Sequence, residues 1–65
     1  MKYFYYLDNM EESSIIRIKA KSKPSKTGTY KVQEYHDNTS WYYGAWTEVS
    51  FKTLKDMTYI GSTKI

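Results

Sequence analysis

The sequence predicts a small α+β domain, an antiparallel sheet of about four strands with one short C-terminal helix on one face. Three observations predict it. Residues 14–21, SIIRIKAK, alternate apolar with charged side chains, the period of a half-buried strand. Two further segments rich in aromatic and β-branched residues, 28–36 and 41–49, flank the turn-forming DNTS. After residue 50 the apolar residues recur every third position, which is a helical spacing.

The elements follow in order. KYFYYL at 2–7 is a strand by β-propensity, with aromatics on both faces that leave its register unreadable. In 14–21, Ile16, Ile18 and Ala20 share one face, and Arg17, Lys19 and Lys21 the other. KAKSKPSKTG at 19–28 holds the sole Pro and reads as an exposed loop. GTYKVQEYH at 28–36 places Tyr30 and Val32 on one side, and Lys31, Gln33 and Tyr35 on the other. DNTS is turn chemistry, because its short polar side chains hydrogen-bond neighbouring backbone. WYYGAWTEV at 41–49 is the third strand of this group. Ser50 is a suitable N-cap for a helix over roughly 51–60, with Phe51, Leu54, Met57 and Ile60 on one stripe and Gly61 at its end. The alternative is an SH3-like all-β barrel, in which the last segment is a strand after a short turn.

Bulk properties fit one small domain over 1–65. A chain of 65 residues buries only about 60% of its unfolded surface. It has no Cys to supplement that core, but its aromatic content is 18%, and rings supply a large apolar area per residue. With 40% hydrophobic residues and a net charge of +3, the chain belongs to the globular class. No apolar run approaches the 18 or so residues of a membrane span, and the N-terminus lacks the pattern of a secretory signal. The expectation is a soluble cytoplasmic protein that does not engage membranes. Nine Lys against one Arg fits an A+T-rich bacterial, phage or mobile-element genome.

Strand pairing sorts the aromatics. A four-residue DNTS loop sets His36 opposite Trp41, Glu34 opposite Tyr43, Val32 opposite Ala45 and Tyr30 opposite Thr47, while loop 21–27 pairs Ala20 with Gly28. The apolar side then carries Ile16, Ile18, Tyr30, Val32, Trp41, Tyr43, Ala45 and Val49, covered by Phe51 and Leu54 of the helix. The uncovered side is a candidate binding face of Arg17, Lys19, Lys21, Lys31, Tyr35, Tyr42 and Trp46. It has Lys31 over Trp46 as a cation–π pair and Tyr35 beside Tyr42. One residue more or less in the loop exchanges the faces.

Catalysis has little to build on. His36, between Glu34 and Asp37, lacks a nucleophile motif. Asp8, Glu11, Glu12 and Asp56 show no spacing that pairs carboxylates for acid–base work, and no metal, cofactor or small-molecule substrate is indicated. The expected function is a non-enzymatic binding module. A protein partner or a homodimer is favoured, because Tyr and Trp anchor interfaces. Such a partner includes a host factor blocked by a phage-encoded chain. Nucleic acid is the alternative, because Arg17, Lys19, Lys21, Lys23, Lys26 and Lys31 concentrate charge beside rings suited to base stacking.

Overall fold

The computed structural model describes residues 1–9, 14–36, 40–44 and 47–65. In chain order the strands are β1 (Lys2–Asp8), β2 (Ser14–Ala20), β3 (Thr29–Lys31), β4 (Gln33–His36), β5 (Ser40–Tyr42) and β6 (Glu48–Ser50). Helix α1 (Phe51–Lys55) and strand β7 (Thr58–Lys64) follow. The fold is α+β and mostly antiparallel: a five-stranded sheet in the order β5-β4-β2-β1-β7, and a two-stranded sheet of β3 and β6.

The central pair is β1 and β2, joined in register from Lys2↔Ala20 to Asp8↔Ser14. Side chains alternate faces along a strand, so Phe4 and Tyr6 point with Ile16 and Ile18 into the core, all at most 5% exposed. Tyr3, Tyr5, Arg17 and Lys19 share the other face. The alternation read in 14–21 therefore holds. The aromatics of β1 do occupy both faces, as expected.

Around this pair the core consists of Phe4, Tyr6, Ile16, Ile18, Val32, Val49 and Leu54, with Ala20, Tyr30, Phe51 and Met57 packed against it. Val32 separates β3 from β4 and is fully buried, and its N–H donates to the Thr47 carbonyl at 3.0 Å. The single strand expected over 28–36 is thus two strands in different sheets. The fully buried Val32 between them anchors the chain where it passes from one sheet to the other.

Three further expectations are corrected. First, β4 pairs with β2 through Ile16↔Glu34 and Arg17↔Gln33 rather than through Ala20 and Gly28. That is a shift of two residues, so the faces are preserved. Second, β4 and β5 pair as His36↔Ser40, Tyr35↔Trp41 and Glu34↔Tyr42. His36 does not face Trp41, because Ser40 belongs to the strand rather than the turn; 37–39 lie outside the described residues. The one-residue change carries Trp41 to the outer face and Tyr42 to the side of Glu34 and Ile16. Likewise 41–49 is not one strand, since β5 and β6 belong to different sheets.

Third, the helix ends early. Ser50 caps α1 as expected, its hydroxyl accepting from the Thr53 N–H at 3.2 Å, and Leu54 is the buried residue of its apolar stripe. The helix stops at Lys55, and Thr58–Lys64 forms β7. Thr58, Tyr59 and Ile60 are strand-favouring residues, and Thr58 and Tyr59 pair with Leu7 and Tyr6 of β1. Ile60, assigned to the buried stripe from its spacing, is 51% exposed. It falls in a bulge, because Tyr5 pairs with Gly61 and Tyr6 with Tyr59. Gly61 there has φ +143°, a conformation that side-chain-bearing residues rarely adopt. A final strand is the element that the barrel alternative required, but β5 and β7 remain the outer strands of an open sheet.

Two measurements check this core. Ile16→Ala is expected to cost about 2–5 kcal/mol, against roughly 3–10 kcal/mol of total stability for a chain of this length. Chemical denaturation should show the midpoint lowered in proportion to that cost, whereas a loss below 1 kcal/mol contradicts the burial of Ile16. The second is pH-dependent. Burial, then the neighbouring Tyr59 and Tyr30, raise the Tyr6 phenol above its ordinary 10.0. The folded state therefore holds that proton more tightly than the unfolded chain. The resulting stability is complete below pH 10 and is lost as pH rises through the folded value. Tyr6→Phe should flatten this alkaline fall in denaturation midpoint, and an unchanged fall contradicts it.

Candidate functional site

The outer face of the five-stranded sheet is organised around Arg17. Its neighbours across the ladders are Tyr5 on β1 and Gln33 on β4. Its Nε donates to Gln33 Oε1 at 2.9 Å. Its guanidinium carbon lies 3.8 Å from the Tyr3 ring centroid and 4.3 Å from that of Trp41. The weakly hydrated, planar guanidinium suits such stacking.

The rings extend the layer in both directions. Trp41 packs at 5.0 Å from Tyr35 and 5.7 Å from Tyr5, both tilted, within the preferred range for aromatic pairs. Tyr3 and Tyr5 lie 6.4 Å apart. The Tyr5 hydroxyl and Thr63 Oγ1 share a hydrogen bond of 2.9 Å, which ties the layer to β7. The side chains of all five strands of the sheet are thereby held together before any partner arrives.

A concavity of about 540 Å³ adjoins this layer, lined among others by Tyr3, Arg17, Lys19, Lys31, Gln33 and Tyr43. Lys19 comes from the central strand β2 and Lys31 from β3 of the second sheet. Its described lining residues include three cations and no carboxylate. Tyr43, 58% exposed, is the most open ring described. Rings, planar cation and ammonium groups of this kind can take up an anionic group and a flat or apolar one side by side.

The seven residues expected on the face have different positions. Arg17, Lys19 and Lys31 line the concavity together, and Tyr35 stands beside Trp41 on the same outer face. Lys21 is exposed just past the end of β2. Tyr42 pairs with Glu34 and takes the opposite face, so the Tyr35–Tyr42 pair is replaced by Tyr35–Trp41. Trp46, and with it the expected contact to Lys31, lies outside the described residues. Sequence reasoning missed Tyr3, Tyr5 and Trp41, and it placed Gln33 on this side without giving it a role. Tyr3 and Tyr5 were hidden because Phe4 and Tyr6, which alternate with them, are equally aromatic. Trp41 was hidden because its face depends on one residue of turn length.

Among the described residues no group of His, Cys, Asp or Glu is placed to hold a metal ion. No helix there is long and apolar enough to cross a membrane. Compared with protein-family models, with curated proteins and with solved structures, the chain matches none.

The Arg17 stack makes a specific prediction. Arg17→Lys keeps the charge but loses the planar stack and the bond to Gln33, and should cost about 1–2 kcal/mol. Near-UV circular dichroism should weaken as Trp41 loses its fixed surroundings. Unchanged denaturation and an unchanged spectrum contradict the stack.

Proposed function

We propose that this chain is a non-enzymatic binding module that takes a protein partner against the outer sheet face. The observation that supports this reading most is the fixing of Arg17 between Tyr3 and Trp41, with Tyr5 and Tyr35 alongside. Tyr, Trp and Arg are the residues that carry most binding energy at protein interfaces. Rings already held by one another lose little freedom on association, and so contribute more of their burial energy to affinity. Lys19, Lys31 and Arg17 favour a partner with an acidic rim. A second copy of the chain is the self-associating form of the same reading.

Nucleic acid is the second reading, favoured by the carboxylate-free set of cations lining the concavity. There Lys19 and Lys31 would track phosphates, and Tyr43 would stack a base.

One set of titrations separates them. Tyr35→Ala and Lys19→Glu/Lys31→Glu alter exposed positions and should leave the fold intact by circular dichroism. On the protein reading, chemical cross-linking in the native host yields a specific adduct that Tyr35→Ala reduces at least tenfold. Sedimentation reports the same loss if the partner is a second copy. Labelled single- and double-stranded oligonucleotides then bind no better than weakly at physiological salt. Micromolar oligonucleotide affinity overturns the protein reading in favour of nucleic acid if its log–log salt slope is about −2 for single strands or about −3 for duplex, as for three phosphate contacts, and Lys19→Glu/Lys31→Glu abolishes it.

A further inference from the structure

A second concavity, of about 360 Å³, is lined by residues of the loop after β2, of α1, of β7 and of the core itself. Its apolar wall includes Tyr6, Phe51, Leu54 and Met57. Tyr6 and Leu54 are at most 4% exposed, and the loop that borders it is pinned by the buried Pro24. The wall is therefore formed by fixed core side chains, whose replacement would disturb the fold. None of its described lining residues belongs to the outer-face layer around Arg17.

Two lysines complete the lining, Lys23 from the loop and Lys55 from the last turn of α1. Both are exposed, so their ammonium groups stand at the solvent side of an apolar wall. Lys23 Nζ lies 3.9 Å from the centroid of the Tyr59 ring, which itself packs 5.4 Å from Tyr6. This contact draws one cation over the apolar wall. No Asp or Glu is among the described lining residues.

We propose that this concavity is a binding site for a small amphipathic anion, with an apolar tail against Phe51, Leu54 and Met57 and an acidic head at Lys23 and Lys55. An apolar wall with a few placed polar groups is the general character of small-ligand sites, and this volume lies at their lower end. At about 30 Å³ per heavy atom, the share of a water molecule in the liquid, the space suits a ligand of roughly twelve heavy atoms. A medium-chain carboxylate has that size. The two cations select against an amine head, and the apolar wall against a polar body such as a sugar. The site is independent of the outer-face reading, because it uses other residues and another ligand chemistry.

The test is a titration of the full chain followed by NMR, with octanoate, octanol and octylammonium as probes below their micelle concentrations. Octanoate should move the Met57 methyl and the Phe51 and Tyr59 ring signals saturably, with a Kd under 1 mM, about tenfold below octanol. Octylammonium should bind more weakly than octanol. Lys23→Gln/Lys55→Gln changes only exposed side chains, and should bring octanoate down to the octanol level while leaving octanol unchanged. Equal binding of octanol and octanoate overturns the proposal, since it leaves only an apolar cleft. So do octanoate shifts confined to Tyr3 and Tyr43 of the outer surface, or no saturable shift at any of these signals.

Discussion

The pairing of β1 with β2 is the constraint on which everything else rests. Phe4 lies opposite Ile18 and Tyr5 opposite Arg17, and those two pairs define two faces with different chemistry. On one face Phe4, Tyr6, Ile16 and Ile18 bury carbon and form the centre of the core. On the other, Tyr3, Tyr5, Arg17 and Lys19 carry phenol rings and cations. The strands next to this pair inherit the division through their own ladders, so Gln33 lies beside Arg17 and Glu34 beside Ile16. A slip of one residue in the central ladder would place Arg17 among the apolar residues, where an unpaired charge is costly. The register is thus held by what it keeps out of the core as well as by what it buries.

A chain of 65 residues has too little apolar material to cover both faces of a five-stranded sheet with packed layers. One face receives Val49, Leu54 and the partly buried Phe51 and Met57. The other covers itself: Tyr3 and Trp41 stack on the Arg17 guanidinium, and Tyr5 and Tyr35 pack at a tilt against Trp41. Each ring pair there contributes about 0.5–1.5 kcal/mol beyond its buried area. Such a layer stabilises the sheet while leaving polar edges and ring faces toward solvent. That combination makes it suitable as a contact surface, and it ties the proposed function to the same side chains that stabilise the fold.

What the sequence revealed depended on how locally each feature is determined. The alternation of 14–21 is written in the residues themselves, so the faces of Ile16, Ile18, Arg17 and Lys19 were legible. So was the cap at Ser50, whose hydroxyl acts within its own turn. The face of Trp41 was not, because it follows from the number of residues between His36 and the next strand, and Ser40 serves equally in a turn or a strand. The break at Val32 was also hidden: Tyr30 and Val32 alternate as in one strand, and only the burial of Val32 between two sheets interrupts it. In 51–60, Phe51, Leu54, Met57 and Ile60 keep a helical spacing, but only Leu54 is fully buried. The remainder was decided by pairing with β1, a contact nearly the whole chain length away. Of the candidate face, the basic part on β2 and β3 was readable, and most of the aromatic part was not.

Trp41 belongs to the outer face, stacked with Arg17 and flanked by Tyr5 and Tyr35. Nuclear Overhauser contacts from the Trp41 indole protons test it most directly. Cross-peaks are expected to the Tyr5 and Tyr35 rings and to the Arg17 side chain, with none to the methyls of Ile16, Ile18 or Val32. Contacts to those methyls, with none to Tyr5, would contradict it and return Trp41 to the core.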